Sequence, residues 1–562
     1  MLLVIQPNKL SFCWRCSFSW AVLRLLLLKM SLYTTPRPIQ RILKTYLYNL
    51  KWQCMGKPER ALYNGGILGK FTTLSGNDSS PSLVLFSLTR GFKYSFSSWV
   101  KIHGADSALI RASLRTEDEA YNCIGNVVAR SGCWSFLKGG FTLHSPSNRS
   151  LLSFHGSGKW NISIATAGIS LQPFTDEQWR MNQDHIINKV RKRPVMIHVA
   201  DEDGERLQGA EIQVKQISKE FPFGSAIAKT ILGNIPYQKW FVERFNAAVF
   251  ENELKWYATE PEQGKVTYAI ADQMLRFVRE SGVTARGHNI FWEDPKYTPS
   301  WVRNLTGLDL EMAVKARITS LLDRYKEEFV HWDVSNEMLH FDFYEQNLGP
   351  NATLEFFKTV HQSDPLATLF MNEFNVVETC SDSDSSVDKY ISRLRELESG
   401  GVSMDGIGLE SHFDTLNLPL MRAVIDKLAT LGLPIWLTEV DISNKFDKDS
   451  QAAHLEEVLR EGFSHPSVNG IMMWTALHPY GCYQMCLTDN DFRNLPTGDV
   501  VDKLLQEWKT EDLEGQADEY GSYSFFGFLG EYSVTVRESN RTAYSTFALS
   551  QGEETRHVTI HL

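Results

Sequence analysis

Between residues 221 and 508, short apolar runs alternate with amphipathic stretches eight times, and this alternation constrains the fold more than any other feature of the chain. The runs are FPFGSAIA, FNAAVFEN, VTARGHN, FVHWDVSNE, ATLFMNEFN, DGIGLESH, LPIWLTEVD and NGIMMWTA. Each has strand length, and the stretches between them, such as 272–280 and 421–431, repeat apolar positions at helical spacing. Eight such units fit a (β/α)8 barrel, which typically takes about 250 residues. Polar residues gather where the runs end: Glu251, His288, Asn336, Glu337, Asn372, His412 and Glu439. The C-terminal strand ends form the active face of such a barrel, so the pattern points to an enzyme.

The flanks have a different texture. Residues 62–174 are short alternating runs separated by Gly, Ser and Asn, the pattern of a β-sandwich. Residues 176–193 are polar and charged and predict a helix. VMIHVADEDGERLQGAEIQV, at 195–214, places two alternating runs around a Gly-containing turn and predicts a hairpin. Strand-like alternation returns in the tail from 520 to 562. The fold class expected is therefore a barrel at 221–510, an N-terminal sandwich, and a small β-domain. The last is formed from 195–217 plus 515–562 and split by the barrel.

Of 562 residues, 43% are hydrophobic and 22% charged, a composition that supports a sizeable core. Net charge is −10, which argues against a general nucleic-acid footprint. Residues 1–58 are the exception, with nine Lys/Arg and no acid. Their apolar run, 20–28, is too short and, at Arg24, too interrupted to span a membrane. It fits a weak secretory leader, an acid-free transit leader or a misassigned start. Six Asn-x-Ser/Thr acceptors, at Asn77, Asn148, Asn161, Asn304, Asn351 and Asn540, favour secretion, although such triplets also arise by chance. Among eight cysteines, Cys123/Cys133 and Cys482/Cys486 are close enough in sequence to pair. A single CxxxC without a second ligand pair is a poor zinc signal, so no metal is expected.

Glu337 and Glu439 end the fourth and seventh runs. Two carboxyls converging over a barrel mouth are what glycosidic cleavage needs: one protonates the departing sugar oxygen, the other attacks or directs water at the anomeric carbon. Unrelated strand-end glutamates that cap helices would occupy the same positions, and position alone leaves the two readings even.

The local words add to this. WDVSNE around Glu337 and LTEVD around Glu439 resemble the acid/base and nucleophile signatures of glycoside hydrolase family 10. FENELKWYATEPEQGKVTYAIADQML, RGHNIFWEDPKYTPSWV, LFMNEFN, GIGLESHFD and NLPTGDVVDKLLQEW follow the plant branch of that family in order and spacing. The resemblance implies a retaining endo-1,4-β-xylanase that takes xylan or xylo-oligosaccharides and uses no cofactor; a monomer is expected. It implies Glu337 as acid/base and Glu439 as nucleophile. It also implies His412 as donor to Glu439 with Asp441 holding the imidazole, and Asn336 on the sugar 2-hydroxyl. Glu251, Asn252, Lys255 and His288 match positions that bind sugar on the non-reducing side. Trp292 and Trp474 match enclosing aromatics. Three positions depart from relatives: Glu410 where many microbial members carry Gln, Glu293 where they carry His, and Leu477 where plant members carry Trp.

GCWSFLKGGFTL and ISLQPFTDEQWR resemble a family 22 carbohydrate-binding module, shortened, with Trp99 and Trp134 open to either core packing or stacking. VADEDGERLQGAEIQV and FLGEYSVTV resemble early and late strands of a carboxypeptidase-regulatory-like domain. Two rivals to hydrolysis remain: transglycosylation by the same residues, and wall binding with feeble catalysis.

Overall fold

The computed structural model describes residues 54–562, except 59, 64–65, 69–79, 118–121, 144, 157–161 and 403. The leader, Asn77 and Asn161 thus lie largely or wholly outside the described residues. Eight parallel strands form the barrel: β1 Phe223–Ile227, β2 Ala247–Phe250, β3 Thr284–Gly287, β4 His331–Asn336, β5 Thr368–Glu373, β6 Gly406–Leu409, β7 Ile435–Ile442 and β8 Val468–Met473. Neighbours pair in sequence order, and β1 pairs with β8 (Gly224 opposite Met472), which closes the ring. The eight apolar runs become these eight strands, buried on both faces because helices cover the outside. Helix Ala269–Glu280 shows how: Ala271, Met274, Leu275 and Val278 make one buried stripe at helical spacing. Two short extensions matter for the mouth. Phe291–Trp292 pairs with the end of β4, setting Trp292 opposite Asn336, and His412–Phe413 pairs with β7, setting His412 opposite Asp441. No helix among the described residues is long and apolar enough to cross a membrane.

The N-terminal sandwich has a four-stranded sheet (Ser82–Leu88, Ser147–Gly156, Ser107–Arg115, Asn122–Arg130) over a three-stranded one (Ser135–Thr142, Lys93–His103, Ser163–Phe174). Phe96, Leu137, Leu152, Phe154 and Leu171 fill the space between them. The outer face of the three-stranded sheet is covered too. Tyr63 packs over part of it, its N donating to Ser170 Oγ at 3.1 Å, while Met55 and Leu68 pair with Trp134 and Leu171 along the sheet's edges. The rest packs on barrel helix Leu418–Leu428. Asn417 caps that helix, accepting from Leu420 N at 3.2 Å, and its Nδ2 donates to Gly140 O at 3.0 Å. Gly140 has to be glycine, because a Cβ there would stand 2.4 Å from Pro419 Cβ. Trp99 is fully buried and Trp134 nearly so, which makes both packing residues.

Beside Gly140, Lys138 makes a buried ion pair with Asp426, whose other oxygen meets His465 Nε2 at 3.2 Å. Burial alone would raise Asp426, but Lys138 and His465 hold it below the usual carboxylate range. Lys138→Met will therefore destabilise the protein by about 3–5 kcal/mol in urea unfolding, because it strands a buried carboxylate. Lys138→Met/Asp426→Leu will recover most of that loss. Equal destabilisation by the single and double variants would show that the pair is not what fastens the sandwich.

The remaining strands form a third β-layer structure built from both sides of the barrel. Glu211–Gln216 lies between Leu513–Gln516 and Gly530–Glu538, and Lys192–Ala200 lies between Ser522–Phe528 and Arg556–His561. Its core holds Val195, Ile197, Val214, Tyr532 and Val534. The expected hairpin at 195–214 is not one: its two runs sit in different sheets. The ten residues between strands Lys192–Ala200 and Glu211–Gln216 carry the chain from one sheet to the other, whereas a paired hairpin turn needs only a few. The cysteines also differ from sequence proximity. Cys133 pairs with Cys54 and Cys123 with Cys380, while Cys482 pairs with Cys486.

Candidate active site

Glu439 stands at the mouth on β7, buried, with each oxygen assigned. Oε1 accepts from Asn372 Nδ2 at 2.9 Å and lies 3.8 Å from His288 Nδ1; Oε2 lies 3.4 Å from His412 Nε2. His288 is itself 2.9 Å from Asp333, which Arg286 also contacts at 2.9 Å. His412 Nδ1 is 3.0 Å from Asp441 Oδ1. Burial alone would raise Glu439, but His288, His412 and Lys255 outweigh it and bring the carboxyl down to about 2. His412 is the complement: burial would lower it, yet Asp441 and Glu439 keep it protonated well above the usual imidazole range.

Glu337 ends β4 and is driven the other way. Burial, then the charges of Glu373 and Glu439, push its carboxyl up to about 8 against the opposing pull of Trp292 and Lys255. Its φ is +60°, a conformation that costs a non-glycine residue about 1–3 kcal/mol. The backbone is held there by Glu337 N donating to Asn372 O at 3.0 Å and by Phe341 N donating to Glu337 O at 3.0 Å. Behind it, Glu373 accepts from Leu339 N at 2.7 Å and contacts His340 Nδ1 at 2.6 Å, while His340 Nε2 reaches Asp382 at 3.0 Å.

Asn372 joins the two carboxylate neighbourhoods. Its Nδ2 donates to Glu439, to Asn336 Oδ1 at 2.9 Å and more weakly to Glu410 Oε1 at 3.3 Å; its Oδ1 accepts from Thr438 Oγ1 at 2.5 Å. Glu410, 3.6 Å from His412 Nε2, is raised well above the usual range by burial and by Glu439, so this third acid is held neutral. Glu251 contacts His478 Nε2 at 2.5 Å and accepts from Asn252 Nδ2 at 3.0 Å; Asn252 in turn accepts from Tyr257 OH at 2.6 Å. Lys255 projects its ammonium 4.4 Å from the Trp292 ring and 5.5 Å from Trp474, and Trp474 meets His288 edge-on at 5.2 Å. Glu251, Asn252, Lys255, His288, Trp292, Asn336, Glu337, Glu410, His412, Glu439, Asp441 and Trp474 therefore lie around one mouth.

Residues 213–488 match the Glycosyl hydrolase family 10 model. The chain is 35% identical over 515 residues to "Endo-1,4-beta-xylanase 5-like" of Arabidopsis thaliana, covering 88% of this chain and 89% of that one. It is 36% identical over 479 residues to "Endo-1,4-beta-xylanase 5" of the same plant, at 82% and 83% coverage. The chain belongs to glycosyl hydrolase family 10. Among solved structures it is similar to xylanase 10B from Thermotoga petrophila RKU-1 in complex with xylobiose, at 23% identity and a TM-score of 0.46, over 51% of this chain and 94% of that one.

In this family 10 glycoside hydrolase, Asn372 was visible in the sequence as a polar strand end but carried no sign of linking Asn336 to Glu439. Glu373, His340, His478 and Glu378 gave no signal beyond being polar, because each acts through a partner from another strand or loop. Leu477 is buried among apolar residues of the barrel, and its N–H donates to Tyr237 OH at 3.3 Å. Glu293 is also buried, accepting from Ser335 Oγ at 2.8 Å and from Tyr344 N at 3.3 Å and pushed up to about 7 by burial, so it braces the end of β4. Tyr483, more than half exposed, meets His412 edge-on at 5.6 Å and offers an aromatic edge to the cleft.

Proposed function

We propose that this enzyme is a retaining endo-1,4-β-xylanase whose nucleophile is Glu439 and whose acid/base is Glu337. The observation that carries the assignment is the contrast in surroundings: Asn372, His288 and His412 gather on Glu439 and hold it ionised, while burial and the Glu373 charge keep Glu337 protonated across the same mouth. Glu439 attacks the anomeric carbon as Glu337 gives its proton to the departing xylosyl oxygen, leaving a glycosyl ester on Glu439. Glu337, now anionic, takes a proton from water, which attacks the same carbon and frees Glu439. Asn336, oriented by Asn372, is placed for the 2-hydroxyl, a contact that strengthens as the oxocarbenium-like state forms. Glu251, Asn252, Lys255 and His288 bind the non-reducing-side sugar, with Trp292 and Trp474 enclosing it.

The substrate class follows the names of the plant relatives, and the test is direct. The protein is incubated with xylo-oligosaccharides, and products are followed by mass and by proton NMR. Shorter oligomers whose new reducing end is first β are expected. An α product first would refute the double displacement, longer oligomers would mean transfer, and no change by folded protein would leave binding alone.

The same split sets the pH profile. Activity requires Glu439 ionised and Glu337 protonated, so kcat/KM should rise as pH climbs past about 2 and fall as it passes about 8. The two groups interact, so these limbs belong to the pair. A profile still climbing at pH 9 would contradict the assignment.

We propose further that the protein works outside the cytosol, on the cell wall. Support comes from the three disulfides among the described residues and from exposed acceptors at Asn148, Asn304, Asn351 and Asn540.

A further inference from the structure

Residues 374–386 follow β5 and carry none of the groups proposed to touch sugar, yet they support both carboxyls. Glu378, buried, accepts through Oε1 from Ser411 N at 2.9 Å and His412 N at 3.1 Å, and through Oε2 from Val377 N at 2.9 Å. Ser411 has φ +74°, a conformation serine disfavours, and its amide and the next one both point at Glu378. That turn presents the His412 imidazole to Glu439 and Asp441. In the same segment Phe374 stacks on His340 at 3.8 Å, and Asp382 closes on its Nε2.

What fastens this segment comes from outside the barrel. Cys380 is bonded to Cys123 of sandwich strand Asn122–Arg130, 257 residues earlier. Asn126, on that strand, donates from Nδ2 to Cys380 O at 3.1 Å, and Val128 N donates to Asp388 at 2.7 Å, in the first turn of the helix that follows. A module carried on a tether to hold polysaccharide would keep its faces free and its edges off the catalytic domain. Here one edge is bonded to an active-site loop, and one sheet face is covered.

We infer that the N-terminal sandwich is a positioning element of the active site: through Cys123–Cys380 and Asn126 it fixes residues 374–386, and through Glu378 that segment aims His412 at Glu439. This deepens the proposed reaction and rests on Glu439 being its nucleophile. The charged and titratable groups facing Glu439 are Lys255 after β2, His288 after β3, Glu337 after β4, Glu410 and His412 after β6, and Asp441 on β7, with Tyr483 beyond His412. Of the groups that hold Glu439 ionised, the segment fixed by the sandwich positions His412, through Glu378, while Asp382 and His340 tie the same segment to Glu373 and Glu337; the His412 arm has its own signature on the acidic limb. Glu439 should bind its proton more tightly, and the acidic limb should move to higher pH.

The test compares the full chain with Cys123→Ser/Cys380→Ser, using xylohexaose. The expected result is an acidic limb raised by about one unit, kcat lower by about tenfold and KM within about twofold. A lower Tm with an unmoved limb and unchanged kcat per folded molecule would make the sandwich a stabiliser only and overturn the inference. If the double variant does not fold, Asn126→Leu and Glu378→Ala, with the disulfide intact, should move the limb the same way. Glu378→Gln, which keeps an acceptor for the two amides, should restore it; no movement in the first two overturns the inference equally. Nitrogen NMR titration of the His412 imidazole, assigned with His412→Gln, reads the displacement without turnover. A wild type that cleaves nothing would therefore sink the proposed reaction, while the titration still decides the positioning.

Discussion

Glu439→Gln will leave a folded protein whose kcat on xylo-oligosaccharides is lower by about 10⁴-fold or more, a loss of transition-state stabilisation of about 5.5 kcal/mol. The substitution is nearly isosteric, so the Oε1 contact with Asn372 can persist while the charge that attacks the sugar is gone. The surroundings make the loss specific. His412 and His288 are arranged to stabilise an anion at this position, and a neutral amide offers them nothing to hold. Glu439→Ala adds a cleaner discriminator. The space it opens admits azide, which can attack from the same face that Glu439 used and trap a glycosyl azide of inverted configuration. Wild-type rates from Glu439→Gln in active-site-titrated protein would remove the nucleophile assignment outright, whatever the family relationship.

How far the sequence led can be judged residue by residue. The barrel was legible because each strand is a short apolar run that ends in a polar residue, and periodicity reports such runs directly. Glu337, Glu439, Asn336, His412 and Asp441 were legible because they sit at those ends, where the chain's direction fixes which face they reach. The supports were not. Asn372 is one polar residue among many until β4, β5 and β7 bring Asn336 and Glu439 within 2.9 Å of the same amide nitrogen. Glu378 acts on backbone amides 33 and 34 residues away, and Cys123 finds Cys380 rather than its neighbour Cys133. The supposed hairpin failed for the same reason: alternation marks a strand but does not say which sheet it joins. Local pattern carries local structure, while partners distant in sequence are chosen by the assembled fold.

Glu337→Ala should give the second-largest effect, and its character matters more than its size. With xylo-oligosaccharides, whose leaving group is a poorly acidic sugar hydroxyl, kcat should fall about 10³-fold, within the usual range for a lost general acid. With a 2,4-dinitrophenyl xylobioside the leaving group needs no proton, so formation of the glycosyl-enzyme should stay near wild type. Its hydrolysis, which needs Glu337 as base, should become slow and produce a burst of dinitrophenol. The alkaline limb should vanish together with the group that titrates at about 8. That limb exists because burial and the charges of Glu373 and Glu439 hold the proton on Glu337; Lys255, itself lowered by burial, offsets them only in part. A fall of equal size on both substrates, with the alkaline limb intact, would mean that Glu337 shapes the mouth without transferring the proton. Some other acid of the mouth would then have to supply it. The neutral Glu410 would be first in line, being buried beside Glu439 and already protonated.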